Sequence, residues 1–266
     1  MSAGFDQIAN EYDADFVNTA TGKMQRNIVW DYLKKFLDKK DSLSILELNC
    51  GTGEDAIWLA SKGHKVLATD VSEKMLEVAN KKANASGFGE SISFSILDIS
   101  KPETYPKDIQ FDIVFSNFGG FNCLSPDDFL KVLPAIAKIL KPKGRLISVI
   151  MPKFCLWESF YFSLKGEFSK VFRRNRADSL AVQLGDNQVE TWYFSPPQIQ
   201  GLNPSAFRII RKRPVGLFLP PSYLENYFAK HPKSLHFLNR MEKLSSNIGF
   251  ASGFSDHFII DMEVQP

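Results

Sequence analysis

The chain has 266 residues, 44% of them hydrophobic and 23% charged, a globular balance that excludes a disordered or collagen-like polymer and suits one large α/β domain or a core with an inserted subdomain. Its net charge of +2 is too small to argue by itself for a nucleic-acid or membrane partner. Three cysteines without CxxC spacing and four scattered histidines give no zinc pattern and argue against a disulfide framework.

In chain order, the opening MSAGFDQIANEYDADF is acidic and lacks the apolar core of a signal peptide. No apolar run reaches the length that spans a bilayer, so a cytoplasmic protein is expected. Ile28, Val29, Leu33, Phe36 and Leu37 mark an amphipathic helix over 24–37. SILEL (44–48) reads as the first strand, and the helix after it stops near Gly63, a natural end point. KVLATD (65–70) is a second strand, and Ser72 caps a helix that ends at Gly87. SISFSILDI (91–99) alternates as a third strand, and FDIVFSN (111–117) is apolar enough for a strand covered on both faces. Ser125-Pro126-Asp127-Asp128 opens the helix FLKVLPAIAKIL, which Pro134 is expected to bend or divide. KPKG then leads into the strand RLISVI (145–150). Strand and helix alternate throughout, which predicts a parallel sheet covered on both faces.

Beyond 150 the rhythm breaks. Residues 151–190 mix aromatic and basic side chains, VETWYF (189–194) reads as extended, and Ser195-Pro196-Pro197 opens a short helix. FRIIRKRPVG (207–216) and DHFIIDMEV (256–264) are late strands on either side of a helical stretch at 222–244.

Between the first strand and its helix lies Gly51-x-Gly53-x-x-Ala56, with Asp70 about 20 residues on. Such a turn presents bare backbone and helix-start amides to a ligand. Taken alone it fits a dinucleotide as well as any other adenosine ligand. Four features taken together decide further: Glu47-Leu-Asn-Cys-Gly51-Thr-Gly53; Asp70 followed by VSEKMLEVA; ILDI (96–99), where Asp98 follows a strand; and FDIVFSN followed by a helix, KPKG and a strand. In this order the chain resembles the class I S-adenosylmethionine-dependent methyltransferases over roughly 5–150 and 189–264.

The resemblance implies a doubly wound α/β fold, a mostly parallel seven-stranded Rossmann-like sheet with an inserted helical cap. Residues 1–43 would be N-terminal helices covering the cofactor. Residues 44–150 and 189–266 would form the core, and 151–188 a cap or lid over the acceptor site. The cofactor would be S-adenosylmethionine, with no metal expected. Asp70 would accept from the ribose diol, Asp98 from the adenine amino group, and Glu47, directly or through water, from the ammonium, a group that a dinucleotide lacks. Cys50, Gly51, Gly53, Val71, Met75, Leu97, Ile99, Asn117 and Phe118 would complete the cofactor site. Tyr12 would cover the cofactor and Arg26 would reach its carboxylate. The family usually has glycine at the position of Asn49; if positive φ is needed there, asparagine tolerates it best.

On the acceptor side the resemblance places Asn117, Phe118, Gly119, Gly120 and Asn122. The aromatic insertion, with Trp157, Phe160 and Tyr161, is either a cap packed on the sheet or a lid shaping an apolar or aromatic pocket. No motif fixes a general base; Tyr223 and His257 are the candidates. The expectation is a methyltransferase acting on a small apolar or aromatic acceptor, with no nucleic-acid partner and no membrane span. The oligomeric state and the methylated atom stay open. The alternatives are a non-catalytic module that binds the cofactor for regulation or scaffolding, and an NAD-dependent oxidoreductase.

Overall fold

The computed structural model describes residues 2–38, 41–202, 205–221 and 224–265. Among the described residues nine strands form in chain order: β1 (Ser44–Leu48), β2 (Lys65–Asp70), β3 (Ile92–Ile96), β4 (Phe111–Ser116), β5 (Leu140–Ile150), β6 (Leu180–Leu184), β7 (Asn187–Thr191), β8 (Phe207–Val215) and β9 (His257–Val264). Seven of them make one sheet in the order β3-β2-β1-β4-β5-β9-β8. The first five strands are parallel, and β9 runs antiparallel between β5 and β8. This is the doubly wound, mostly parallel seven-stranded sheet that the resemblance implies, and its parallel part is what the alternating pattern predicts.

Strand alternation divides the core into two layers. Ile45, Val66, Ile113 and Ile147 face α2 (Ala20–Leu37) and α3 (Glu54–Ser61). Leu46, Val114, Leu146 and Ile260 face the opposite way, with Phe129, Leu133 and Ile136 of α5 (Pro126–Ile139). Caps end the helices where the sequence indicates: the Met75 amide donates to Ser72 Oγ at 3.1 Å at the start of α4 (Glu73–Ala85), and the Asp128 amide to Ser125 Oγ at 3.1 Å. Gly63 and Gly87 have positive φ beyond the helix ends.

Four readings need correction. Pro134 does not divide α5, which runs unbroken through it; the ring lies on the exposed face, beside exposed Leu130, whose carbonyl water can reach. KPKG does not precede the fifth strand but lies within it: β5 already begins at Leu140, with a register shift against β4 and a left-handed Lys143. The helical stretch at 222–244 is two helices, α8 (Glu225–Phe228) and α9 (Pro232–Ser245), parted where Pro232 starts the second. Residues 189–191, expected in the core, belong to the β6–β7 hairpin, a separate two-stranded sheet. The insertion is therefore a helix, α6 (Leu156–Leu164), followed by that hairpin.

The hairpin packs on α1 (Ser2–Ile8), where Asn187 Nδ2 donates to Gln7 Oε1 at 2.5 Å. A short helix, α7 (Pro196–Leu202), leads on to β8. Among the described residues no helix is long and apolar enough to cross a membrane.

Candidate functional site

In the order β2-β1-β4, chain connectivity reverses between β1 and β4, the point at which open α/β sheets form a crevice at their carboxyl ends. A cleft of about 640 Å³, open to solvent, lies there. The loop that leaves β1 bends sharply: Asn49, Gly51 and Gly53 have φ of 57°, 54° and 78°. A Cβ on Gly53 would fall 2.8 Å from Ala79 Cβ, so the glycine lets α4 close against the loop. The Gly51 amide donates to Asp70 Oδ2 at 2.9 Å and the Ser72 amide to Asp70 Oδ1 at 3.0 Å. Those bonds aim the Asp70 carboxylate at the cleft while lone pairs remain on both oxygens. Asp98 accepts from the Ser100 amide and hydroxyl at 3.0 and 2.6 Å. Partial burial works to raise its pKa, but Ser100 and Lys101 outweigh that and hold it below the usual carboxylate value.

The acidic N-terminal segment closes over this loop by its own carboxylates. Ser72 Oγ donates to Asp6 at 2.6 Å, Thr52 Oγ1 donates to Asp13 at 2.5 Å, and Lys82 pairs with Asp13 at 2.7 Å. Phe5 and Tyr12 thereby line the cleft. Burial raises the Tyr12 phenol above its ordinary pKa, so it is a neutral hydroxyl.

Beneath the glycine turn sits Glu47, fully buried, and its Oε2 has no hydrogen-bond partner. Burial, then the neighbouring Asp55, push its pKa well up against the opposing Arg26. Asn49 Oδ1 and Ser116 Oγ are likewise buried without partners. Both lie against Gly120, where a Cβ would fall 2.6 Å from Ser116 Oγ and 2.7 Å from Asn49 Oδ1. A buried carboxyl oxygen and two more polar atoms left unpaired are expensive for a fold to keep unless a ligand satisfies them.

Ten of the cofactor-site candidates line this one cleft: Tyr12, Asn49, Gly51, Asp70, Val71, Met75, Asp98, Ile99, Asn117 and Phe118. Gly119 and Gly120 join them, as does Cys123, whose thiol burial pushes up to about 11; a protonated thiol is a poor nucleophile. Cys50, Gly53 and Leu97 stand behind the lining: the Cys50 amide donates to Thr69 O, the Leu97 amide donates to Asp70 O, and Gly53 meets Ala79.

Arg26 does not line the cleft, and its Nε has no hydrogen-bond partner. It forms an ion pair with buried Asp55, which also accepts from Trp30 Nε1 at 2.6 Å and Asn117 Nδ2 at 3.0 Å. Its guanidinium lies over the Phe118 ring, 5.1 Å from the centroid.

The acceptor-side expectations fare differently. Asn122 is fully buried and committed to backbone: its Nδ2 donates to Met151 O and Trp192 O, and its Oδ1 accepts from the Met151 amide. It clamps the insertion's two ends and does not face the cleft. Trp157 turns toward Phe228 and donates to Phe218 O at 3.0 Å. Phe160 points to solvent on the outer face of α6, and Tyr161 packs against Phe162 beneath Lys165. None of these three lines the cleft, because α6 packs toward the loop after β8. Tyr223 lies outside the described residues. His257 begins β9, its ring edge-on to Phe118 at 5.4 Å and its Nδ1 3.2 Å from Asp256 Oδ2.

Phe5, Cys123, Asp55 and Asp256 carry no motif and escaped the sequence reading. Only Asp256, adjoining the His257 candidate, left a trace there.

A methyltransferase-domain family model matches residues 45–144. The demethylmenaquinone methyltransferase of Lactobacillus johnsonii is 32% identical over 187 residues, covering 65% of this chain and 72% of the relative. The ubiquinone/menaquinone biosynthesis C-methyltransferase UbiE of Acidiphilium cryptum is 32% identical over 57% of this chain and 56% of its own. The tRNA 5-carboxymethoxyuridine methyltransferase of Escherichia coli K12 is 30% identical over 34% of this chain and 35% of its own. The chain thus spans about half the length, or less, of the last two. Among solved structures, the CcbJ methyltransferase of Streptomyces caelestis superposes with a TM-score of 0.64 at 15% identity, covering 100% of this chain and 99% of that one; at that identity the likeness concerns the fold.

Proposed function

Because the chain belongs to the class I S-adenosylmethionine-dependent methyltransferases, we propose that it is a cytoplasmic enzyme that methylates a small apolar or aromatic acceptor. The observation that carries the cofactor half of this reading is the unpartnered Glu47 Oε2 beneath the glycine turn. An ammonium would satisfy it and restore its charge, whereas a pyrophosphate there would meet a buried acid. Glu47 and the 49–53 turn would hold the amino-acid end of the cofactor, Asp70 the ribose and Asp98 the adenine amino group. Phe5 and Tyr12 would cover it and exclude water.

S-adenosylmethionine, when bound, supplies a methyl group on a sulfonium, which departs as a thioether when the acceptor takes the methyl. Charge is dispersed in such a transfer, so alignment and desolvation account for much of the rate. Phe118, held in a left-handed conformation with φ of 42° between Arg26 and His257, is the wall against which an acceptor would be aligned. Where the acceptor's nucleophile carries a proton, His257 would take it, with Asp256 stabilising the imidazolium so formed. Against the penalty of burial, His257 and Arg174 keep Asp256 ionised far below the usual carboxylate range.

The names of the Lactobacillus and Acidiphilium relatives put quinone precursors first in an acceptor screen, and that of the Escherichia relative adds tRNA as its counter-example. Calorimetric titration with S-adenosylhomocysteine, S-adenosylmethionine and NAD tests the cofactor. Binding of the first two, lost in Asp70→Ala, is expected; binding of NAD alone would overturn the reading. Cofactor binding without turnover of any acceptor would favour a regulatory module.

A further inference from the structure

Away from the cofactor cleft, the first residue of α6, the loop after β8, the end of α9 and the turn that follows border an apolar groove of about 750 Å³. Leu156 lines it from α6, Leu244 from α9, and Ile248, Phe250 and Phe254 from the turn that follows. These side chains are open to water, Leu244 at 75% and Phe250 at 82% of full exposure. The α6 face continues the patch at helical spacing through Phe160 and Leu164, the latter 73% exposed, and Phe168 beyond it is 72% exposed. Single exposed apolar residues need no explanation, but a contiguous patch of this kind marks a contact surface.

Charge selects the occupant. α9 carries Lys233, Arg240 and Lys243, and its only acid, Glu242, is fully buried with its carboxylate accepting from the amides of Gly216, Phe218 and Leu219. Along 156–176 the acids are Glu158, buried against Arg173 and Arg174, and Glu167, paired with Lys170. Lys165 and Arg176 add exposed positive charge. The patch is thus apolar at its centre and basic at its rim. A second copy docking face to face would set basic rim against basic rim. A bilayer surface containing anionic lipid matches both parts, taking the Phe and Leu side chains at the acyl boundary and the Lys and Arg side chains among the headgroups.

We propose that the α6–α9 face docks this protein on an anionic membrane surface. The loop whose Leu217 and Phe218 line the groove is tied to the residue before His257 and to α6, since the Asp256 amide donates to Gly216 O at 3.0 Å and Trp157 Nε1 to Phe218 O. The inference rests on the surface alone and stands whatever the acceptor.

The test is flotation of the whole chain with phosphatidylcholine vesicles, with and without phosphatidylglycerol. Binding to the anionic vesicles only, weakened by salt, is expected. Arg240→Gln with Lys243→Gln should reduce it about 25-fold, roughly fivefold for each charge. Leu244→Ser with Phe250→Ser should reduce it by about tenfold or more. Unchanged melting temperatures in both pairs establish that the fold is intact. Absence of wild-type binding to anionic vesicles, equal binding to neutral ones, or full binding by the folded serine pair would each overturn the proposal. So would a dimer that the serine pair dissociates, in a protein that ignores vesicles.

Discussion

Glu47 is a buried acid without a partner, and its raised pKa has a direct thermodynamic consequence. In the folded chain it holds its proton more tightly than in the unfolded one. As pH rises from the ordinary glutamate range toward the raised value, the unfolded state loses that proton first, and stability falls. Glu47→Gln cannot ionise, so the ligand-free variant should be more stable than wild type at neutral pH by about 1–3 kcal/mol, or about 2–4 °C of Tm for each kcal/mol. The gap should close toward pH 4. With S-adenosylhomocysteine added, the order should reverse, because the amide offers no charge to the ammonium and affinity falls about tenfold to a hundredfold. Melting curves at two pH values, with and without ligand, check both signs; a variant that melts below wild type without ligand contradicts the account. His257 is probed by a different readout. His257→Gln should leave S-adenosylhomocysteine affinity unchanged and lower kcat by about 10²–10⁴-fold for a protonated acceptor, with little effect on an acceptor that carries no proton. An equal loss on both acceptors would return His257 to a packing role against Phe118.

At the level of elements, α1 is held over the cleft on one side by Asp6 and backed on the other by the β6–β7 hairpin. A Cβ on Gly4 would sit 3.3 Å from Asn187 Cβ, and one on Gly185 would sit 3.0 Å from Ile8 Cγ2, so small residues on both sides allow the approach. Replacing residues 181–190 by a short Gly-Ser link joins Leu180 to Thr191, already partners in the ladder. It should speed amide exchange over 2–8 and weaken S-adenosylhomocysteine about tenfold, roughly the entropy of ordering one residue, while the core melts near its wild-type temperature. Unchanged exchange in α1 would mean that Asp6 and Asp13 hold it without help. The hairpin illustrates what a sequence conceals. The parallel strands β1, β2 and β4 are legible because each is a short apolar run closed by a glycine or a capped helix. LAVQL and NQVET lie apart from the main sheet, and of their side chains only Val189 and Thr191 are buried, so the buried face is too small to imprint a clear pattern. The apolar positions of α6 recur at helical spacing whether that face meets a core or water, so spacing alone suggests a cap or a lid for Phe160, which lies on the surface. The glycine turn and Asp70 were legible because a turn chemistry demands them. Asp55 was not, since an acid in the first turn of α3 already suits the helix dipole and gives no sign that Arg26, Trp30 and Asn117 converge on it.

For the molecule as a whole, the insertion is joined to the core by a buried ionic cluster. Arg174 Nε donates to Glu158 Oε2 at 3.0 Å, Nη1 to Asp256 O at 3.0 Å and Nη2 to Asp256 Oδ1 at 2.9 Å, while Arg173 adds two bonds to Glu158. Burial opposes ionisation of both acids, but their charged partners prevail and lower both pKa values. The stability this contributes is fully present above the unfolded carboxylate range and is lost as pH falls toward the lowered folded values. Raised Glu47, Asp70 and Glu242 act with the opposite sign, withdrawing stability as pH rises through the window between ordinary and raised values. Stability should therefore peak in mildly acid solution and fall on both sides. Arg174→Met leaves two acids buried with one partner fewer, which costs about 3–5 kcal/mol at neutral pH. At pH 4 the loss should be smaller, because wild type has by then begun to lose the same contribution and the variant's acids protonate more readily. Unfolding at pH 4 and pH 7 measures the difference directly. An equal loss at both would mean that Arg174 acts by packing, including its stacking over Tyr193, rather than by charge.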